Sequence, residues 1–115
     1  MKIAIYGSTP SKKNSKIMVC RGKFPMLLPS KNYTEWHKDA LLQLKDKKPI
    51  TSKDITLTFF AGDNRKFDLT NKSESIMDTL VDAGLLADDN YTEVSKLTLV
   101  FGGVDKGKAR CEIDY

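Results

Sequence analysis

The residues of this chain best equipped for chemistry are carboxylates gathered in one short stretch. Residues 68–89, DLTNKSESIMDTLVDAGLLADD, hold Asp68, Glu74, Asp78, Asp82, Asp88 and Asp89 against a single cation, Lys72. The local charge is −5 in a chain of net charge +4, which leaves +9 on the remaining residues. A basic body attracts a polyanion, and clustered acids inside it repel that polyanion unless a divalent cation lies between them. Carboxylate oxygens are hard ligands suited to Mg²⁺, which keeps several of its waters. A metal held this way activates water and neutralises charge on a scissile phosphate, with Lys72 the nearest cation for the phosphate or leaving oxygen. An ordinary acidic helix face, with Asp68 as a cap and Lys72 as its surface partner, accounts for the same residues without chemistry.

The elements that must position these groups are set by pattern. A helix is expected to begin at Asp68 to Thr70 and to end at Gly84, a residue suited to the position just past a helix. Its apolar side is Leu69, Ile76, Met77, Leu80 and Val81, and Asn71, Glu74, Ser75 and Asp78 recur at helical spacing on another side. Asp88 and Asp89 fall in the loop entering the next strand. If that strand runs back beside the helix N-terminus, Asp89 meets Asp68.

Upstream, residues 2–7 alternate as a half-buried strand, and Ile17–Val19 form a second short one. Gly22 and Pro25 interrupt the chain after it. Ser30 suits the N-cap of a helix reaching about Lys45, with Tyr33, Trp36, Leu41, Leu42 and Leu44 on its apolar side. Residues 54–61 set Ile55, Leu57 and Phe59 on one face of a strand. Residues 92–101 and 109–113 close the chain as two more strands, joined through Gly102, Gly103 and a DKGK turn. The order β-β-α-β-α-β-β describes a single α+β domain over 1–115, a small mixed sheet with two packed helices.

Composition narrows the class. At 40% hydrophobic and 30% charged residues, the chain has the make-up of a folded soluble domain. No apolar run approaches a membrane span and no signal-peptide pattern is present after Met1, so a cytoplasmic location is expected. Cys20 and Cys111 have no CxxC spacing, and with His37 the only histidine a zinc site is not expected. No Ser/His or Cys/His pair offers a covalent nucleophile, which leaves metal-activated water. The basic residues group as Lys12, Lys13 and Lys16 in a polar loop, and as Arg65 and Lys66 just before Asp68. Such groups hold phosphates without reading sequence. Tyr33 and Trp36 read as core rather than as stacking platforms for bases, and His37 as an exposed helix residue rather than a general base.

Asp68-Leu69-x-Asn71, then Asp78-x-Leu80, Ala83-Gly84 and Asp88-Asp89, resemble the core motif of RusA-type Holliday junction resolvases. Pro10-Ser11-Lys12-Lys13-Asn14-Ser15-Lys16 is similar to a loop that phage-borne members carry after their first strand. The likeness is strong over 68–95 and weak over the first third of the chain. It implies a homodimeric, Mg²⁺-dependent endonuclease that cuts four-way DNA junctions by paired symmetric nicks during recombination and repair, commonly encoded by prophages. Asp68 and Asp89 match the family's catalytic acids. Thr70 stands where members carry a second aspartate, and Glu74 where they carry a lysine. The resemblance accommodates this if Glu74 supplies the missing carboxylate and Lys72 the missing cation. The metal set is then Asp68, Glu74 and Asp89, with Asp88 assisting and with Asn71 and Asp78 in support. The alternatives are a weakened or inactive dimer that only binds branched DNA, and an interaction protein whose acidic helix docks a basic partner.

Overall fold

The structure is a computed structural model that describes residues 1–11, 16–21 and 24–115, with no side chains described for 16–29. Lys12 and Lys13 therefore lie outside the described residues, and Lys16 is placed by its backbone alone.

Eight elements succeed one another: β1 (Lys2–Tyr6), β2 (Lys16–Arg21), β3 (Phe24–Pro29), α1 (Lys31–Leu44), β4 (Asp54–Ala61), α2 (Leu69–Asp82), β5 (Lys96–Val104) and β6 (Arg110–Asp114). Four strands form one mixed sheet in the order β1-β6-β4-β5. β6 is antiparallel to both β1 and β4, and β5 is parallel to β4. β2 and β3 pair antiparallel in a separate two-stranded sheet. The α+β class and the two helices match expectation. Strand β3 does not, because Gly22 and Pro25 read as punctuation, whereas a two-stranded ribbon leaves outer edges where a missing N–H costs nothing.

Alternation builds the sheet. Along β4, Ile55, Leu57, Phe59 and Ala61 are buried while the residues between them are not. Ile3 and Ile5 of β1 and Cys111 and Ile113 of β6 join Ile55, Leu57 and Phe59 in one core. The helices cover it. Ser30 caps α1, its Oγ accepting from Tyr33 N at 3.2 Å. Trp36, Ala40 and Leu44, four residues apart, form the buried stripe of that helix. Leu42, expected on the same side, is exposed. From α2 the core receives Ile76, Met77 and Leu80. Gly84 ends that helix at φ +77°, the left-handed geometry that favours glycine.

The unit β4–α2–β5 governs the candidate site. Because β4 and β5 are parallel, α2 must run back from the end of β4 to the start of β5. Its first turn therefore lies by Ala61, Phe101 and Val104, where Phe67 and Leu69 share a cavity with them. Its far end lies at the strand beginnings, where Ile50 N donates to Leu85 O at 2.8 Å and Ser95 N to Lys53 O at 2.8 Å. β5 begins at Lys96, later than expected, and Gly102 and Gly103 belong to it. No helix among the described residues is long and apolar enough to cross a membrane.

Candidate nucleic-acid interface and the carboxylates of α2

At the first turn of α2 a cleft of about 800 Å³ opens between the loop after β1, the 62–67 loop and the turn before β6. Arg65, Lys66, Lys72, Lys108 and Arg110 line it, with Asp63 the carboxylate among them. The two arginines are occupied. Arg65 Nε donates to Asp63 at 2.9 Å, and this contact holds the Asp63 carboxyl below its usual range. Arg110 bridges Asp105 at 2.8 Å and Glu112 at 2.9 Å, with its guanidinium 3.9 Å from the centre of the Phe60 ring. Lys66 and Lys108 are exposed, and among the described residues neither ammonium meets a carboxylate.

Lys72 is half-buried. Its Nζ donates to the Thr9 carbonyl at 2.6 Å and sits 4.2 Å from the centre of the Phe67 ring. Burial lowers its pKa, and the nearby Arg65 guanidinium pushes in the same direction, against a smaller opposing pull from Asp63. Three residues on, the fully buried Ser75 donates to the Pro10 carbonyl at 2.7 Å. Expectation set Ser75 on an outward side with Glu74 and Asp78. Instead it and Lys72 staple two successive carbonyls of the 7–11 loop to α2. Gly7, at φ +108°, makes the turn into that loop and donates its N–H to Ala109 O at 2.9 Å. Thr9, which lines the cleft, keeps a buried hydroxyl without a hydrogen-bond partner among the described residues.

Asp68 occupies the N-cap position of α2 but makes no side-chain cap hydrogen bond. Its exposed carboxylate accepts from Asn71 Nδ2 at 3.2 Å. Thr70 and Glu74 are exposed as well, and no described group pairs with the Glu74 carboxylate.

Asp88 and Asp89 lie elsewhere. A second cleft, about 520 Å³, is lined by Asp78, Asp82, Asp88 and Asp89 with Tyr33, Thr34 and His37. Asp88 orders the loop, accepting from Asp89 N at 2.7 Å and from Asn90 Nδ2 at 3.0 Å. His37, expected to be exposed, is partly buried between the helices. Thr79 gives its proton to the Ser75 carbonyl at 2.7 Å, so its hydroxyl accepts from His37 Nδ1 at 3.0 Å. The other ring nitrogen faces Asp82 at 3.1 Å, and Tyr33 stacks on the ring with centroids 5.6 Å apart. His37 thus tethers α1 to α2.

The two acidic positions are therefore at opposite ends of one helix. Fourteen residues at 1.5 Å each make α2 about 21 Å long. Asp68 starts it, and Asp89 shares a cleft with Asp82 at its end. β5 does run back alongside β4 toward Asp68, but Asp89 lies in the loop before it and so stays at the far end of α2. Among the described residues no group of three or more His, Cys, Asp or Glu side chains is placed to hold a metal ion. The donors have the hardness Mg²⁺ prefers, but within one chain Asp68, Glu74 and Asp89 do not gather.

Nothing in local pattern marks Lys108 and Arg110 as cleft residues, since they come from a turn more than 35 positions beyond Lys72. No family model matches the chain, and neither does any curated protein.

Proposed function

We propose that this protein is a structure-selective DNA endonuclease of the RusA type, acting on four-way junctions. The DNA backbone is held in the cleft at the first turn of α2. The observation that carries the reading is a set of three ammonium groups on that cleft's wall, Lys66, Lys72 and Lys108, without carboxylate partners among the described residues. The unpaired amide N–H groups of the α2 N-terminus add to the attraction for a phosphate. Lys12, Lys13 and Lys16, which follow the stapled loop in sequence, are further phosphate contacts in this reading. The motif of Asp68, Asn71 and Asp88-Asp89 supports hydrolysis, with Mg²⁺ as the metal. No hydrolytic step is assigned to individual side chains, because the acids of one chain stand apart.

A second reading, a homodimer that binds branched DNA without cutting it, is favoured by Thr70 in place of an acid and by that separation. Both readings require the cleft. Fluorescence anisotropy of a labelled four-way junction against linear duplex, over a salt series, tests it. Wild type prefers the junction, and Lys66→Ala with Lys108→Ala lowers affinity at least tenfold and flattens the salt slope by about 2, one per lost contact. Unchanged affinity in the double variant would move the DNA off this cleft.

A further inference from the structure

Phe67 belongs to two neighbouring hollows. One is the basic cleft, where Lys72 Nζ sits 4.2 Å from the centre of the Phe67 ring. The other is an apolar cavity of about 450 Å³, lined by Phe67, Leu69, Phe101 and Val104 among others. The two are continuous, because Lys66 and Phe67 line both. Phe101 and Val104 are 51% and 49% exposed, so water reaches this apolar lining. The Phe101 ring meets Phe67 edge-on, with centroids 5.9 Å apart. Aromatic surface left open beside a cation-lined wall marks a place where something docks.

We propose that this cavity holds one unstacked nucleobase of the strand whose backbone lies in the cleft. The proposal rests on the reading of that cleft as a DNA-binding surface and adds a base subsite to it. A nucleotide joins a charged phosphate to a flat apolar ring with a polar edge, and the two hollows offer partners for those groups side by side. Lys66, whose ammonium meets no carboxylate among the described residues, stands at the shared rim for the phosphate. Phe101 and Phe67 supply rings of the kind on which single-stranded bases stack. Asn64, exposed on the cavity rim, carries an amide donor and an acceptor, the groups that meet a base edge. The volume suits one base, since small-molecule pockets begin at about 300 Å³. An apolar side chain of a protein partner would also fill the cavity, but it has no use for the cation on the rim.

A base in linear duplex enters only by being extruded, and extrusion costs least where pairing is already broken. A branch point supplies such a base. The subsite therefore gives the preference for a four-way junction over linear duplex a physical source.

Fluorescence anisotropy of a labelled oligothymidylate, beside a strand of equal length built of abasic sugar-phosphates, separates base from backbone because both strands carry the same charge. Wild type binds the base-bearing strand at least fivefold more tightly. Phe101→Ala abolishes that difference and leaves the salt slope unchanged, since the phosphate contacts remain. Phe101→Tyr keeps the difference, and both variants retain the wild-type circular dichroism spectrum. Ultraviolet cross-linking of a strand carrying an iodinated uracil places the adduct on Phe101 or Phe67. Equal affinity of wild type for the two strands would overturn the subsite and leave the cleft standing. A base preference that survives Phe101→Ala, or an adduct confined to Tyr33 and Trp36, would overturn it too. If neither strand binds, the cleft reading falls and the subsite falls with it.

Discussion

Lys72 Nζ donates to the Thr9 carbonyl at 2.6 Å, joining the first turn of α2 to the loop after β1. The bond crosses 63 positions of sequence and aims an ammonium along the wall of the basic cleft, above the Phe67 ring. Lys72→Met keeps an apolar stem over Phe67 and removes both the charge and the donor. Junction affinity is expected to fall several-fold, with the salt slope reduced by about 1. Urea unfolding should show a stability loss on the order of 1 kcal/mol, since the Thr9 carbonyl loses its donor. A full salt slope in the variant would remove Lys72 from the phosphate track.

The same lysine sets a pH dependence. Its folded pKa is lowered from 10.5, first by burial and then by Arg65. Between that lowered value and 10.5 the unfolded chain binds more protons, so stability rises with pH through the window and the cost of the buried charge applies below it. Junction binding moves the opposite way, because the cleft loses a cation there before the exposed lysines titrate. Comparing wild type with Lys72→Met in urea melts and anisotropy from about pH 8 upward checks both signs, since the variant lacks the Lys72 contribution to each trend.

Ser75→Ala leaves α2 able to form and removes the hydrogen bond to the Pro10 carbonyl. A buried acceptor left without its donor costs about 1–3 kcal/mol. Because the bond holds the loop that lines the cleft, hydrogen exchange should quicken at Ser8 to Ser11. Exchange that quickens only globally would assign Ser75 to stability alone.

Local pattern made part of this legible. β4 runs over 54–61 as alternation indicated, because a strand with one buried face writes a period of two into its sequence. Ser30 and Gly84 marked helix ends by backbone chemistry that needs no distant partner. Ser75 was misread because a polar side chain on a helix looks solvent-facing until Pro10, far away in sequence, supplies its acceptor. Asp89 depended on topology. Its meeting with Asp68 required the strand entered from its loop to bring it back along α2, and a strand parallel to β4 leaves the loop at the other end. His37 looked exposed because both of its partners, Thr79 and Asp82, lie more than 40 positions away on another helix.

The most direct test is incubation of a labelled four-way junction with the protein and Mg²⁺, beside linear duplex, for wild type and Asp89→Asn. Paired symmetric nicks on the junction alone, lost in the variant while junction binding persists, are the expected result. Tight binding with no cleavage by wild type under any divalent ion would contradict the endonuclease and leave a branched-DNA-binding protein.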